Sequence, residues 1–140
     1  MKHNRQGFIS WFIRQVVDGE EIQIFGDGEQ RRDLNFVDDV VDAFLIAAAS
    51  DKSNGQIYNL GSDGPISLKA LAELLIEIAG QGSYRLVPFP PERKRIDVGD
   101  VYSAYFRIRD HLDWRPVTQL REGLSQTINY YRQYKEHYWA

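Results

Sequence analysis

The chain has 140 residues, 43% of them hydrophobic and 13% aromatic, with a formal charge of −3 at pH 7 and no cysteine. Disordered chains lack the apolar residues that offset ordering entropy, so disorder is excluded, and a net negative charge leaves no nucleic-acid footprint. Disulfides, zinc–thiolate sites and thiol nucleophiles are excluded with the cysteines.

The length suits one domain over residues 1–140 with a single core. His3, His111 and His137 are too scattered to share a metal, so no metal is expected. No apolar run approaches the roughly 20 residues that span a bilayer, and no signal peptide is evident. The expectation is a cytoplasmic domain without membrane or nucleic-acid partners.

In chain order, "GFISWFIRQVVDGE" predicts a helix with Phe8, Trp11, Phe12, Gln15 and Val16 on one face and Gly19 at its end. "EIQIFG" alternates and predicts a strand. Val37, Val40, Val41, Phe44, Leu45 and Ala48 follow the spacing of a buried helix face, with Asn35 or Asp38 as its cap. "QIYNLGS" predicts a second strand. Ser67 reads as the N-cap of a helix that buries Leu68, Leu71, Leu74, Leu75 and Ile78 and ends at Gly80. "YRLVPF" predicts a third strand, stopped by Pro90-Pro91, and "REGLSQTINYYRQYKEHYW" a long final helix. Alternating strands and helices make the class α/β, a small mixed sheet of about three short strands with four to five helices.

Several stretches invite a functional reading. In "FGDGEQRRDLNFVDDV" a Gly-x-Gly follows an apolar run, yet the third glycine of a dinucleotide fingerprint is replaced by Arg31. Asp27 would also repel a diphosphate, so the turn reads as a tight connection between strand and helix. Tyr131 and Lys135 have the Tyr-x-x-x-Lys spacing of short-chain dehydrogenases, but no nicotinamide-binding unit precedes them, and a solvated helical pair accounts for them. Asp38, Asp39 and Asp42 suit the positive end of a helix dipole better than acid–base work. Arg93, Lys94 and Arg95 form a basic cluster that gains interest beside Arg32, because guanidinium groups grip diphosphates bidentately.

Three segments, "FGDGEQRRDLNFVDDVVDAFLIAA", "QIYNLGSDGPISLKALAELL" and "LDWRPVTQLREGLSQTINYY", stand in the order and spacing of one family. From about Gly7 onward the chain resembles the C-terminal half of extended short-chain dehydrogenase/reductases, the NAD-dependent nucleotide-sugar epimerases and dehydratases. That resemblance implies a substrate-binding domain, with the NAD-binding Rossmann domain and its catalytic residues in a parent's other half. It maps the diphosphate arginine onto Arg32, and Asp33, Val37, Asp38 and Asp39 onto the motif that follows.

Relatives carry a second diphosphate arginine where this chain has Asp97, leaving Arg93 or Arg95 as its replacement. Phe8, Ile9 and Phe89 are candidates for the wall around the base. Asp113 replaces the glycine of a Leu-Gly-Trp turn and tolerates the left-handed conformation it requires. "NRQGFIS" lacks the Tyr-Gly-Pro that often leads into this domain.

The implied ligand is a nucleotide-diphosphate sugar, with NAD bound by the parent and not by this chain, which alone is expected to be inactive. A homo-oligomer is expected, with exposed apolar surface on the first and last helices. A stand-alone, non-catalytic binding module on the same scaffold remains the alternative.

Overall fold

A computed structural model describes residues 7–139, so the reading of His3 and of residues 4–6 lies outside it. In chain order the elements are α1 (Phe8–Asp18), β1 (Glu21–Phe25), β2 (Arg31–Arg32), α2 (Val37–Ala48) and a 3-10 turn at Asp51–Ser53. Then come β3 (Ile66–Ser67), α3 (Leu68–Ala79), β4 (Ser83–Val87), α4 (Pro91–Lys94), α5 (Phe106–Leu112), α6 (Leu120–Gln133) and α7 (Lys135–Tyr138). The α/β class holds. The described residues carry four strands in two separate pairs instead of three in one sheet.

The main core forms where the periodicity predicts. Phe12, Ile13 and Val16 of α1, Ile22 and Ile24 of β1, Leu71 and Leu75 of α3, and Leu124 and Ile128 of α6 bury one another. β1 and β4 pair in parallel, with Glu21 opposite Ser83 and Phe25 opposite Val87. Ser67 caps α3 by accepting from the N–H of Ala70 at 3.2 Å, and α1 and α3 end on left-handed Gly19 and Gly80. Asp113 takes φ 56° to end α5, the left-handed turn expected of it. A second, smaller cluster joins Ala43, Tyr105, Ile108 and Trp114, with Tyr58 and Leu60 against it.

Four expectations are corrected. "QIYNLGS" forms no strand: its sequence has strand character, but no described strand pairs with it in a ladder. Tyr58 and Leu60 turn inward while Ile57 remains 80% exposed.

The apolar face of α2 is not buried. Val37 is 62%, Phe44 70% and Leu45 62% exposed, while Ala43 and Asp39 face the core. Helical spacing identifies an apolar stripe and says nothing about what covers it. The aromatic first and last helices bury Phe12 and Tyr131 but also leave Trp11 and Tyr130 exposed, less so than Phe44 and Leu45 of α2.

Neither Asn35 nor Asp38 caps α2. Phe36 holds the cap position without a side-chain bond, and Asn35 donates to the Gly61 carbonyl at 2.9 Å. The final helix breaks at Tyr134, whose φ of −111° interrupts the helical ladder between α6 and α7.

A single aspartate ties the loops together. Asp33 accepts from the N–H of Ser62 at 2.8 Å and from that of Ser103 at 3.0 Å. Gly61 lies against the same junction: a Cβ there would stand 2.3 Å from the Ser103 carbonyl oxygen and 2.9 Å from Asp33 Oδ2.

Two predictions arise from this packing. Gly61→Ala forces backbone apart at the junction and is expected to destabilise the chain by about 1–3 kcal/mol, read by urea denaturation; an unchanged midpoint would show that the junction yields freely. The uncovered face of α2 is expected to drive self-association of the chain. Phe44→Asp combined with Leu45→Lys should shift sedimentation toward monomer, and a wild-type chain that stays monomeric at high concentration would refute this.

Candidate functional site

The Gly-Asp-Gly turn joins β1 to β2, strand to strand, and not strand to helix as the sequence suggests. Both glycines adopt positive φ, 75° at Gly26 and 74° at Gly28, and Asp27 closes the turn by accepting from the N–H of Glu29 at 3.0 Å. The turn does meet a helix N-terminus, that of α3, but with the opposite polarity to a phosphate loop. The Gln30 and Gly28 carbonyls accept from the N–H groups of Leu68 and Lys69, each at 3.0 Å. Ser67 takes the next donor, so the N–H groups that would bind phosphate are already used.

Beyond the turn, β2 is held on both sides. It pairs antiparallel with β3, and Arg32 bridges in parallel to Val101. The N–H of Arg31 donates to Asp100 at 2.8 Å, which leaves the Arg31 side chain outside. Arg32 turns inward. Its Nη1 donates to the carbonyls of Arg31 at 2.8 Å and Gly99 at 2.5 Å, and its Nη2 stands 3.8 Å from Asp97. The guanidinium carbon lies 5.8 Å from the centre of the Phe8 ring.

Arg32 thereby sits at the edge of a cleft of about 920 Å³, lined by α1, β1 and the segment after β4. Phe8 and Trp11 line it, as do Phe25 and Phe89, whose ring centres are 5.7 Å apart. Arg93 and Asp97 line it as well. A cleft that combines aromatic side chains with Arg93, and has Arg32 beside it, suits a planar ring joined to an anionic group.

Of the sequence candidates, the cleft gathers Phe8, Phe89 and Arg93 with Arg32 at its rim. Ile9 lines a separate apolar hollow of about 160 Å³ between α1 and α6. Arg95 is exposed and does not reach the cleft wall. Of Arg93 and Arg95, Arg93 is the one that lines the cleft. The pairing of Arg32 with Asp97 was not foreseen. The only signal was that Asp97 occupies the position where relatives carry arginine.

The discounted groups have structural duties. Tyr131 is buried and stacked on Trp139, and that burial pushes its phenol above the usual tyrosine range, the wrong direction for a proton-transfer tyrosine. Lys135, beyond the helix break, pairs with Asp18. Asp39 is buried, accepting from the N–H of Thr118 at 3.1 Å while its carbonyl accepts from the Trp114 indole at 2.9 Å. Among the described residues, no group of three or more His, Cys, Asp or Glu could hold a metal. No described helix is long and apolar enough to cross a membrane.

A profile of the NAD dependent epimerase/dehydratase family matches residues 1–61. UDP-glucose 4-epimerase of Mycolicibacterium smegmatis is 35% identical over 133 residues, an alignment covering 93% of this chain and 40% of that protein. UDP-glucuronic acid decarboxylase 1 of Xenopus tropicalis is 31% identical, covering 98% of this chain and 31% of that protein. Among solved structures, UDP-glucose 4-epimerase of Thermotoga maritima with UDP-glucose superposes with a TM-score of 0.78 at 33% identity, over 94% of this chain and 42% of that one. The chain thus spans at most about two fifths of these relatives' length. Over nearly all its residues the chain is similar in sequence and fold to a part of these proteins, and its first 61 residues match the NAD dependent epimerase/dehydratase family.

Proposed function

We propose that the chain is the nucleotide-sugar-binding domain of an NAD-dependent epimerase or dehydratase. The observation that carries this reading is the cleft lined by aromatic side chains and Arg93, with Arg32 beside its Phe8. The base lies among the aromatic side chains, the guanidinium groups hold the diphosphate, and the sugar extends toward the part of the enzyme that carries out the reaction. This domain contributes positioning, which lowers the barrier by fixing the reactive sugar carbon before reaction.

The described residues do not fit NAD. The Gly-Asp-Gly turn turns carbonyls toward α3, and Tyr131 is buried away from the cleft with its acidity weakened. We therefore assign NAD, which supplies hydride transfer, to a Rossmann domain of a longer parent. The exposed face of α2 and the unpaired segment 56–60 are the surface on which that domain docks. They are neighbours, since Ala43 of α2 and Tyr58 and Leu60 share the second cluster. An alternating segment without a partner beside an apolar helix is half of a sheet-and-helix layer.

Two measurements test this reading. In calorimetry the chain is expected to give no detectable heat with NAD; micromolar affinity would overturn the division of labour. UDP titrated into variants tests the diphosphate site. Lysine cannot reproduce two parallel donors, so Arg32→Lys should weaken binding by about 1.5–3 kcal/mol, roughly ten- to hundredfold. Arg31→Ala, outside the cleft, should change it by less than about threefold, as expected of a screened surface charge. Equal losses in the two variants would refute the assignment.

A further inference from the structure

The way Arg32 is held divides its guanidinium into two parts. Nη1 is occupied by the carbonyls of Arg31 and Gly99, which fixes the plane of the group. Nη2 and Nε form no hydrogen bond among the described residues. Two adjacent donors on one edge of a fixed fork are the geometry for a bidentate phosphate. In front of that edge stands Asp97, 3.8 Å from Nη2, with side chains only 17% exposed for Arg32 and 25% for Asp97. That distance is too long for a hydrogen bond and short enough for strong charge coupling.

The charges around the cleft make Asp97 distinctive. Glu21 also lines it but is bound to Arg85 at 2.7 Å. Among the described residues, the Asp97 carboxylate accepts no hydrogen bond, and its one ion-pair partner is Arg32. Arg93 and Asp97 thus line the cleft, Arg32 stands at its rim against Phe8 and Asp97, and the one carboxylate facing Arg32 there has no hydrogen bond.

We propose that Asp97 is a specificity-determining residue that favours a diphosphate esterified at both ends over a free nucleoside diphosphate. This rests on the reading of the cleft as a nucleotide-sugar site. A terminal phosphate has a second ionisation near about pH 6, so free UDP carries about one more negative charge at neutral pH than UDP esterified to a sugar. The carboxylate repels both ligands, and it repels the more highly charged one more. It acts as a resident counter-ion that an entering phosphate must displace from Arg32. The consequence is a site that resists occupation by a nucleotide lacking its sugar.

The test is calorimetric titration of UDP and of UDP-glucose into the wild-type chain and Asp97→Asn, at pH 7.5 and two salt concentrations. Thermal unfolding of both proteins checks that the near-isosteric substitution leaves the fold intact, and Asp97→Glu, which retains the charge, is the second variant. Asp97→Asn is expected to tighten UDP about fivefold and UDP-glucose about twofold, as for removal of a partly screened charge. Asp97→Glu should keep the wild-type preference, and added salt should shrink the difference between Asp97→Asn and wild type. Equal changes for the two ligands, or weaker binding of both by Asp97→Asn, would overturn the proposal while leaving the nucleotide-sugar site standing. Failure of every protein to bind either ligand would overturn the site itself and this inference with it.

Discussion

The carboxylate of Asp33, accepting from the backbone of Ser62 at 2.8 Å and of Ser103 at 3.0 Å, fastens three chain segments that share almost no regular pairing. β2 has only two residues, too few for its ladder to hold the surrounding loops. Side chains supply what the ladder lacks. Arg32 reaches the Gly99 carbonyl, Asp100 takes the Arg31 N–H, and Asn35 reaches the Gly61 carbonyl. Each bond is modest by itself, but leaving any of these partly buried groups unpaired would incur a desolvation cost. The close approach of Gly61 to Ser103 belongs to the same junction.

That junction determines what the cleft offers a ligand. Because Gly99 anchors one edge of the Arg32 guanidinium, the other edge has a fixed direction, and the ordering entropy of a long side chain is met before a ligand arrives. The residues that build the fold here and the residue that would bind phosphate are adjacent in sequence, Arg32 and Asp33. The Gly-Asp-Gly turn contributes indirectly. It presents carbonyls to α3 and carries the chain from β1 into β2, the strand that contains Arg32.

The molecule is well packed on one side and open on the other. α1, β1, α3 and α6 bury a continuous core, while α2 leaves Val37, Phe44 and Leu45 in solvent beside an extended segment without a pairing partner. Adjoining exposed apolar side chains of this kind are a feature of surfaces that meet another protein surface. The chain covers 40% and 31% of the two relatives named above.

Local chemistry was legible in the residues. Alternation marked β1, apolar spacing marked α1 and α3, Ser67 and Gly80 marked the ends of α3, and the resemblance selected Arg32 from an adjacent pair. These signals act within a few residues, through backbone preference and the period of burial. The partners were not legible. The same periodicity described the buried face of α3 and the bare face of α2, and strand character in "QIYNLGS" carried no information about whether another strand lay beside it. Only the tertiary structure brought Asp97 to Arg32, 65 positions away in sequence, placed Arg93 in the cleft and left Arg95 outside. Propensity belongs to a residue and its neighbours in sequence. Charge pairing, cover and access depend on which distant segments meet, and here a two-residue strand and one aspartate decided that.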